Sequence, residues 1–182
     1  MKRLQRDAVL VSLIQNLKQR GSWCGETHVQ KTAFFLQELT SVPLGFEFIL
    51  YKHGPYSFDL SAAVMQMRAD AIVRIVPTYP YGASLELDDG GSQLLSNFPK
   101  TTKRYENQVG FVAYRLATKT VAELERVSTA LFIRLQHGDE QSGSFCAREL
   151  HKIKPHIPID KARVAVKECD EIRTAATTEL VA

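Results

Sequence analysis

Lys52, His53, Tyr56 and Ser57 fall within the six-residue run KHGPYS. A cation, an imidazole, a phenol and a hydroxyl gathered where an apolar run gives way to a helical pattern could hold a phosphate or a carboxylate. The amides at the start of the following helix would add to that attraction. The same six residues also suit a sharp turn. Gly54 and Pro55 are turn formers, and the Ser57 hydroxyl can accept from a first-turn amide of the next helix. An anion site at Lys52, His53, Tyr56 and Ser57 and a purely architectural junction are both compatible with the residues.

Other groups bear on chemistry less directly. Cys24 and His28 form a C-x-x-x-H pair just ahead of a helical pattern, where a thiolate would be favoured. One such pair is only half of a zinc site. His137, Cys146, His151 and His156 follow none of the zinc spacings, so no metal and no cofactor is expected. There is no phosphate-cradling glycine loop, no HExxH and no G-x-S-x-G, and hence no set of catalytic residues to assign. Trp23 in a turn, and Tyr79 and Tyr81 at a loop tip, are candidate contacts for a protein partner. Basic residues gather at Lys100, Lys103 and Arg104, and again at Lys152, Lys154, Lys161 and Arg163. These are the candidates for nucleic-acid contact, or for an acidic protein, set against the ordinary role of charges on a solvated helix face.

The elements that would position these groups follow from periodicity. Leu4, Ala8, Val11, Ile14 and Leu17 recur at helical spacing and Gly21 supplies a stop. Thr27 and Gln30 read as a capping box opening a second helix from residue 28 to 38 or 39. Residues 46–51 are aromatic and branched, as a strand requires, and Ser57 then opens a third helix with Leu60, Val64 and Met67 on its apolar face. Residues 71–76 and 83–89 read as a hairpin, and 92–98 as a short helix. Helices are expected over 101–118, 121–137, 144–153 and 159–178, the second of them opened by a Thr120/Glu123 capping box. Between Ser57 and Ala71 the only charges are Asp59, Arg68 and Asp70. That is a poor DNA-reading face.

At 182 residues, 45% hydrophobic and 24% charged, the chain can bury a substantial core, and its net charge of +3 gives no global field for nucleic acid. Three widely spaced cysteines suit reduced thiols in a cytoplasm. No stretch reaches the apolar length of a membrane span, and the polar residues Asp7, Gln15, Asn16 and Lys18 interrupt any leader-like core.

The segments ETHVQKTAFFLQEL, LGFEFILYKHGPYSFDLSAAVMQM, AIVRI with LEL, and KPHIPIDKARVAVKECDEI together resemble the YwgA-like proteins of bacteria and archaea. They are also distantly similar to the Panacea domain of SocA-like antitoxins. The shared pattern is a helix carrying Gln30-Lys31 before Phe34-Phe35, then a strand ending in Gly-Pro-Tyr-Ser at residues 54–57. The late Lys154-Pro155 favours the YwgA side. The resemblance implies a regulatory module that holds a partner protein, and it carries over no catalytic residue.

The expectation is therefore a cytoplasmic, prokaryotic α+β protein, mainly helical. A winged-helix-like unit with a small β-hairpin spans residues 1–98. A C-terminal helical region over 99–182 packs on that unit or dimerises it, and the whole could form one domain. The expected function is a non-catalytic protein-binding regulatory module, antitoxin-like or part of a defence or mobile-element system. The alternatives are a nucleic-acid-binding regulator using the basic C-terminal segments, and an enzyme or anion-binding protein centred on His53 and Ser57.

Overall fold

The computed structural model describes residues 1–79, 82–138 and 140–180. In chain order the elements are α1 (Arg3–Gln19), α2 (Glu26–Glu38), β1 (Ile49–Tyr51), β2 (Gly54–Tyr56), α3 (Phe58–Ala69), β3 (Val73–Thr78) and β4 (Gly82–Leu87). They continue with α4 (Asp89–Asn97), α5 (Pro99–Arg104), α6 (Glu106–Leu116), α7 (Val121–His137), α8 (Gly143–Ile153) and α9 (Ile159–Leu180). The protein is mainly helical α+β, with two small antiparallel strand pairs and a C-terminal helical region.

α1 and α2 are the central helices. Val9, Leu10, Leu13, Ile14 and Leu17 of α1, and Phe34, Phe35 and Leu36 of α2, are fully or almost fully buried. They belong to the same apolar cluster as Val112 and Leu116 of α6, Leu124, Val127 and Leu131 of α7, and Cys169 and Ile172 of α9. Burial on this scale, roughly 1.5–3 kcal/mol for each large aliphatic side chain, offsets the entropy of ordering the chain. Leu4, expected on the inner stripe, is exposed, because α1 begins outside the core.

Local chemistry sets the helix ends. The Thr120 hydroxyl accepts from the Glu123 amide at 3.3 Å while Glu123 accepts from the Thr120 amide at 2.8 Å, the reciprocal box read from the sequence. Ser57 accepts from Leu60 N at 3.2 Å and opens α3 as expected. The Thr27 cap is a correction: α2 starts at Glu26 behind Gly25, which offers no side-chain cap. The helix expected over 101–118 is broken at Tyr105 into α5 and α6. The expected strand over 46–51 shrinks to β1, because its partner is the three-residue β2, which sequence reading took as part of a turn.

β1 and β2 pair through Tyr51 opposite Gly54, leaving Lys52 and His53 as the two-residue connection. Gly54 has φ +87, and a Cβ there would stand 3.0 Å from Thr129 Oγ1 and 3.3 Å from the Glu125 carbonyl. The hairpin can lie flat on α7 only with glycine at this position. Gly54→Ala should therefore combine backbone strain with a clash and cost roughly 1–3 kcal/mol. A clear drop in thermal midpoint is expected, and an unchanged midpoint would show that the hairpin is free to lift from α7.

Candidate functional site

The hairpin is held from beneath by side chains far from it in sequence. Gln30 of α2 accepts from the Ser57 amide at 2.9 Å and donates to the Ser57 carbonyl at 3.0 Å, so one amide clamps both backbone groups of one residue. The next residue, Lys31, donates to the Pro55 carbonyl at 2.8 Å. Lys154, just beyond α8, donates to the carbonyls of Tyr51 at 2.7 Å and Lys52 at 2.5 Å.

Between these ammonium groups lies Glu125 of α7, 8% exposed. Its Oε1 stands 3.8 Å from Lys154 Nζ and 3.4 Å from His156 Nε2, and its Oε2 stands 3.8 Å from His53 Nδ1. Oε1 is buried without a hydrogen bond. The imidazoles of His53 and His156 are exposed and flank the carboxylate, so the cluster has an aqueous side and a buried side. Burial pushes the Lys31 ammonium down to about 8; Glu125 and Glu26 counteract that fall, and the cation Lys154 adds to it.

Beside the cluster is a cavity of about 240 Å³, lined by Lys31, Thr27, Gln30, Tyr51, His53 and Tyr56 among others. Outside it, Tyr51, Tyr56 and Phe58 pack edge-on or tilted, with ring centroids 5.1–5.7 Å apart. Tyr51 and Phe58 are well exposed, Phe58 at 59%. The Tyr56 hydroxyl donates to Glu26 Oε1 at 3.0 Å, and the Ser61 hydroxyl reaches the same oxygen at 3.3 Å.

Of the residues singled out in the KHGPYS run, the structure brings His53 and Tyr56 to one cavity. Ser57 is not beside them as a reactive group: it is wholly buried and its hydroxyl is committed to capping α3. Lys52 projects at the turn and contributes its carbonyl to Lys154. Lys154 itself is a correction. Read as a surface cation for nucleic acid, it is a buried tether instead. Lys103, Lys152 and Arg163 pair with Glu106, Glu149 and Asp160 on their own helices or at the adjoining start, while Lys100, Arg104 and Lys161 lie at or near the surface.

Trp23 is half-buried, its ring 3.0 Å from where a Cβ on Gly25 would lie. Tyr79 is 98% exposed, and Tyr81 lies outside the described residues. Phe34 and Phe35 are both buried, edge to face at 6.2 Å. Burial raises the Cys24 thiol to about 12, which removes it as a nucleophile. His28 Nε2 lies 3.0 Å from the Lys119 carbonyl, and burial lowers its pKa. Among the described residues no group of three His, Cys, Asp or Glu is placed to hold a metal ion.

Sequence reading named Lys31 only within the resemblance and His156 only among spacings that fit no zinc site, and it passed over Glu125. The one signal was Lys31 placed two positions ahead of the apolar run from Ala33 to Leu36. No family model matches the chain, and no curated protein matches it.

The depressed Lys31 ammonium has a signed consequence. Between about 8 and its ordinary value of 10.5 the folded protein binds fewer protons than the unfolded chain. Stability therefore rises with pH across that window, by on the order of 3 kcal/mol. Below it the cost of burying the charge is fully present. In paired denaturation curves, wild type should gain on Lys31→Met between those two pH values. Parallel curves would mean that Lys31 is solvated in the folded state.

Proposed function

We propose that the protein is a non-catalytic, protein-binding regulatory module that presents its partner with the aromatic face of the β1–β2 hairpin and α3. The observation that carries this reading is the packed trio of exposed Tyr51 and Phe58 with half-buried Tyr56, where the tethered hairpin meets α3. Large aromatic side chains held in place at a surface give much contact area for little ordering entropy. Next to them a second cleft of about 260 Å³ runs between α2, α3 and the β3–β4 hairpin, lined by Val29, Leu60, Val64, Met65, Ile75 and Leu85. Exposed Met65 and Ile75 extend the apolar surface along α3 and β3.

We put the contact surface at this hairpin; the sequence pointed to Trp23, Tyr79 and Tyr81. The resemblance to YwgA-like and Panacea proteins points the same way, towards an antitoxin-like or defence-associated role in a prokaryotic cytoplasm. The rings are packed against one another at interplanar angles of 42–75°, which suits an irregular protein surface better than the open parallel faces that stacked bases need.

Affinity capture of tagged protein from its host should recover a stoichiometric protein partner that survives nuclease treatment. The double variant Tyr51→Ala, Phe58→Ala should lower that recovery about tenfold or more with the thermal midpoint nearly unchanged. Undiminished capture by this variant, or a partner lost to nuclease, would overturn the reading.

A further inference from the structure

Lys31 is among the largest fully buried side chains, 2% exposed, and no carboxylate of the described residues comes within 4.0 Å of its ammonium. Lysine is almost never buried without a partner, because an uncompensated interior charge is costly. Its single acceptor is the Pro55 carbonyl at 2.8 Å. An ammonium has three donors, so two remain without an acceptor among the described residues. The side chain lines the cavity of about 240 Å³ between the hairpin and the start of α2, whose wall also carries Glu26, Thr27, Tyr51, His53 and Tyr56.

The two nearby carboxylates do not fill the gap. Glu125 is engaged from its other sides by Lys154, His53 and His156. Glu26, at the rim, accepts the hydroxyls of Tyr56 and Ser61. Of the residues lining the cavity, Lys31 and Glu26 carry full charges of opposite sign, and the Glu26 carboxylate is already taken by the two hydroxyls. The cavity has room for one side-chain carboxylate, and Thr27 and His53 stand in its wall beside Lys31.

We infer that this cavity is a carboxylate-binding pocket, with Lys31 as the buried cation and His53 and Tyr56 at its mouth, which takes one acidic side chain of the partner protein. The inference rests on the protein-binding reading and adds the chemistry of the anchor. Burial depresses the Lys31 ammonium, and an anion beside it would raise the ammonium again.

The test uses the full chain with its lysines labelled at Cε for NMR, and two small probes, N-acetyl-glutamate α-amide and its neutral isostere N-acetyl-glutamine α-amide. The acidic probe should shift the Lys31 resonance saturably and move its titration midpoint upward. The neutral probe should not, and exposed Lys100 and Lys161 should serve as unshifted references. His53, His156, Glu125, Glu26, Lys154, Tyr51 and Tyr56 all face this region, so the midpoint is followed on the Lys31 signal itself. Lys31→Met should lose the saturable response of neighbouring Tyr51 and Tyr56 signals, and Lys31→Arg should retain part of it. Equal shifts at the exposed lysines, or equal responses to both probes, would overturn the pocket. Loss of partner capture in the aromatic variant without any probe response would sink this inference and leave the protein-binding reading standing. A probe response with no protein partner would overturn the protein-binding reading and the partner's side chain as occupant, leaving a pocket for a free carboxylate.

Discussion

Two lysine ammonium groups feeding backbone carbonyls of a three-residue-per-strand hairpin are the constraint on which the upper surface of this protein depends. A two-stranded ribbon of that size has too little pairing to persist in water. Here the carbonyls of Pro55, Tyr51 and Lys52 are taken by Lys31 and Lys154, and Gln30 closes on both polar groups of Ser57. Charged donors make stronger hydrogen bonds than neutral ones, and beneath the hairpin they are shielded from water. Glu125 then moderates the cost of keeping two cations inside.

The rest of the hairpin region follows from that arrangement. Glycine at 54 lets the ribbon approach α7, where Ser128 and Thr129 turn their hydroxyls back to the Glu125 carbonyl at 3.2 and 2.7 Å and so present no unsatisfied donor to it. With Ser57 fixed by Gln30, the α3 cap forms where it does, and Phe58 begins the helix pointing outward beside Tyr51 and Tyr56. The aromatic face is therefore a consequence of buried polar chemistry, with little help from the strand pairing itself.

What could be read from the sequence was what depends on neighbours. The Thr120/Glu123 box, the Ser57 cap, the β3–β4 hairpin and the long helices α7 to α9 are set by residues a few positions apart. The break at Tyr105 and the start of α2 at Glu26 were not legible, because tertiary packing decided them against local preference. The site was half legible. His53 and Tyr56 announce themselves, but Lys154 meets Tyr51 across 103 positions, and a lysine at the end of a basic run looks like a solvated charge. Glu125 is one acid among the charges of a helix N-terminal half, and only the fold shows it turned inward.

Lys31 links the interior to the surface. Its ammonium can serve the Pro55 carbonyl and an anion at once, since these use different donors. An anion in the cavity would keep that ammonium charged, and a charged donor holds Pro55 more firmly than a neutral amine does. Binding and hairpin order would then favour one another, and by linkage whatever fixes the aromatic face would tighten the cavity's hold on the anion by the same factor. A partner that covered Tyr51 and Phe58 while placing an acidic side chain beside Lys31 would meet two sites that reinforce each other. A partner offering only one of the two would forgo that coupling.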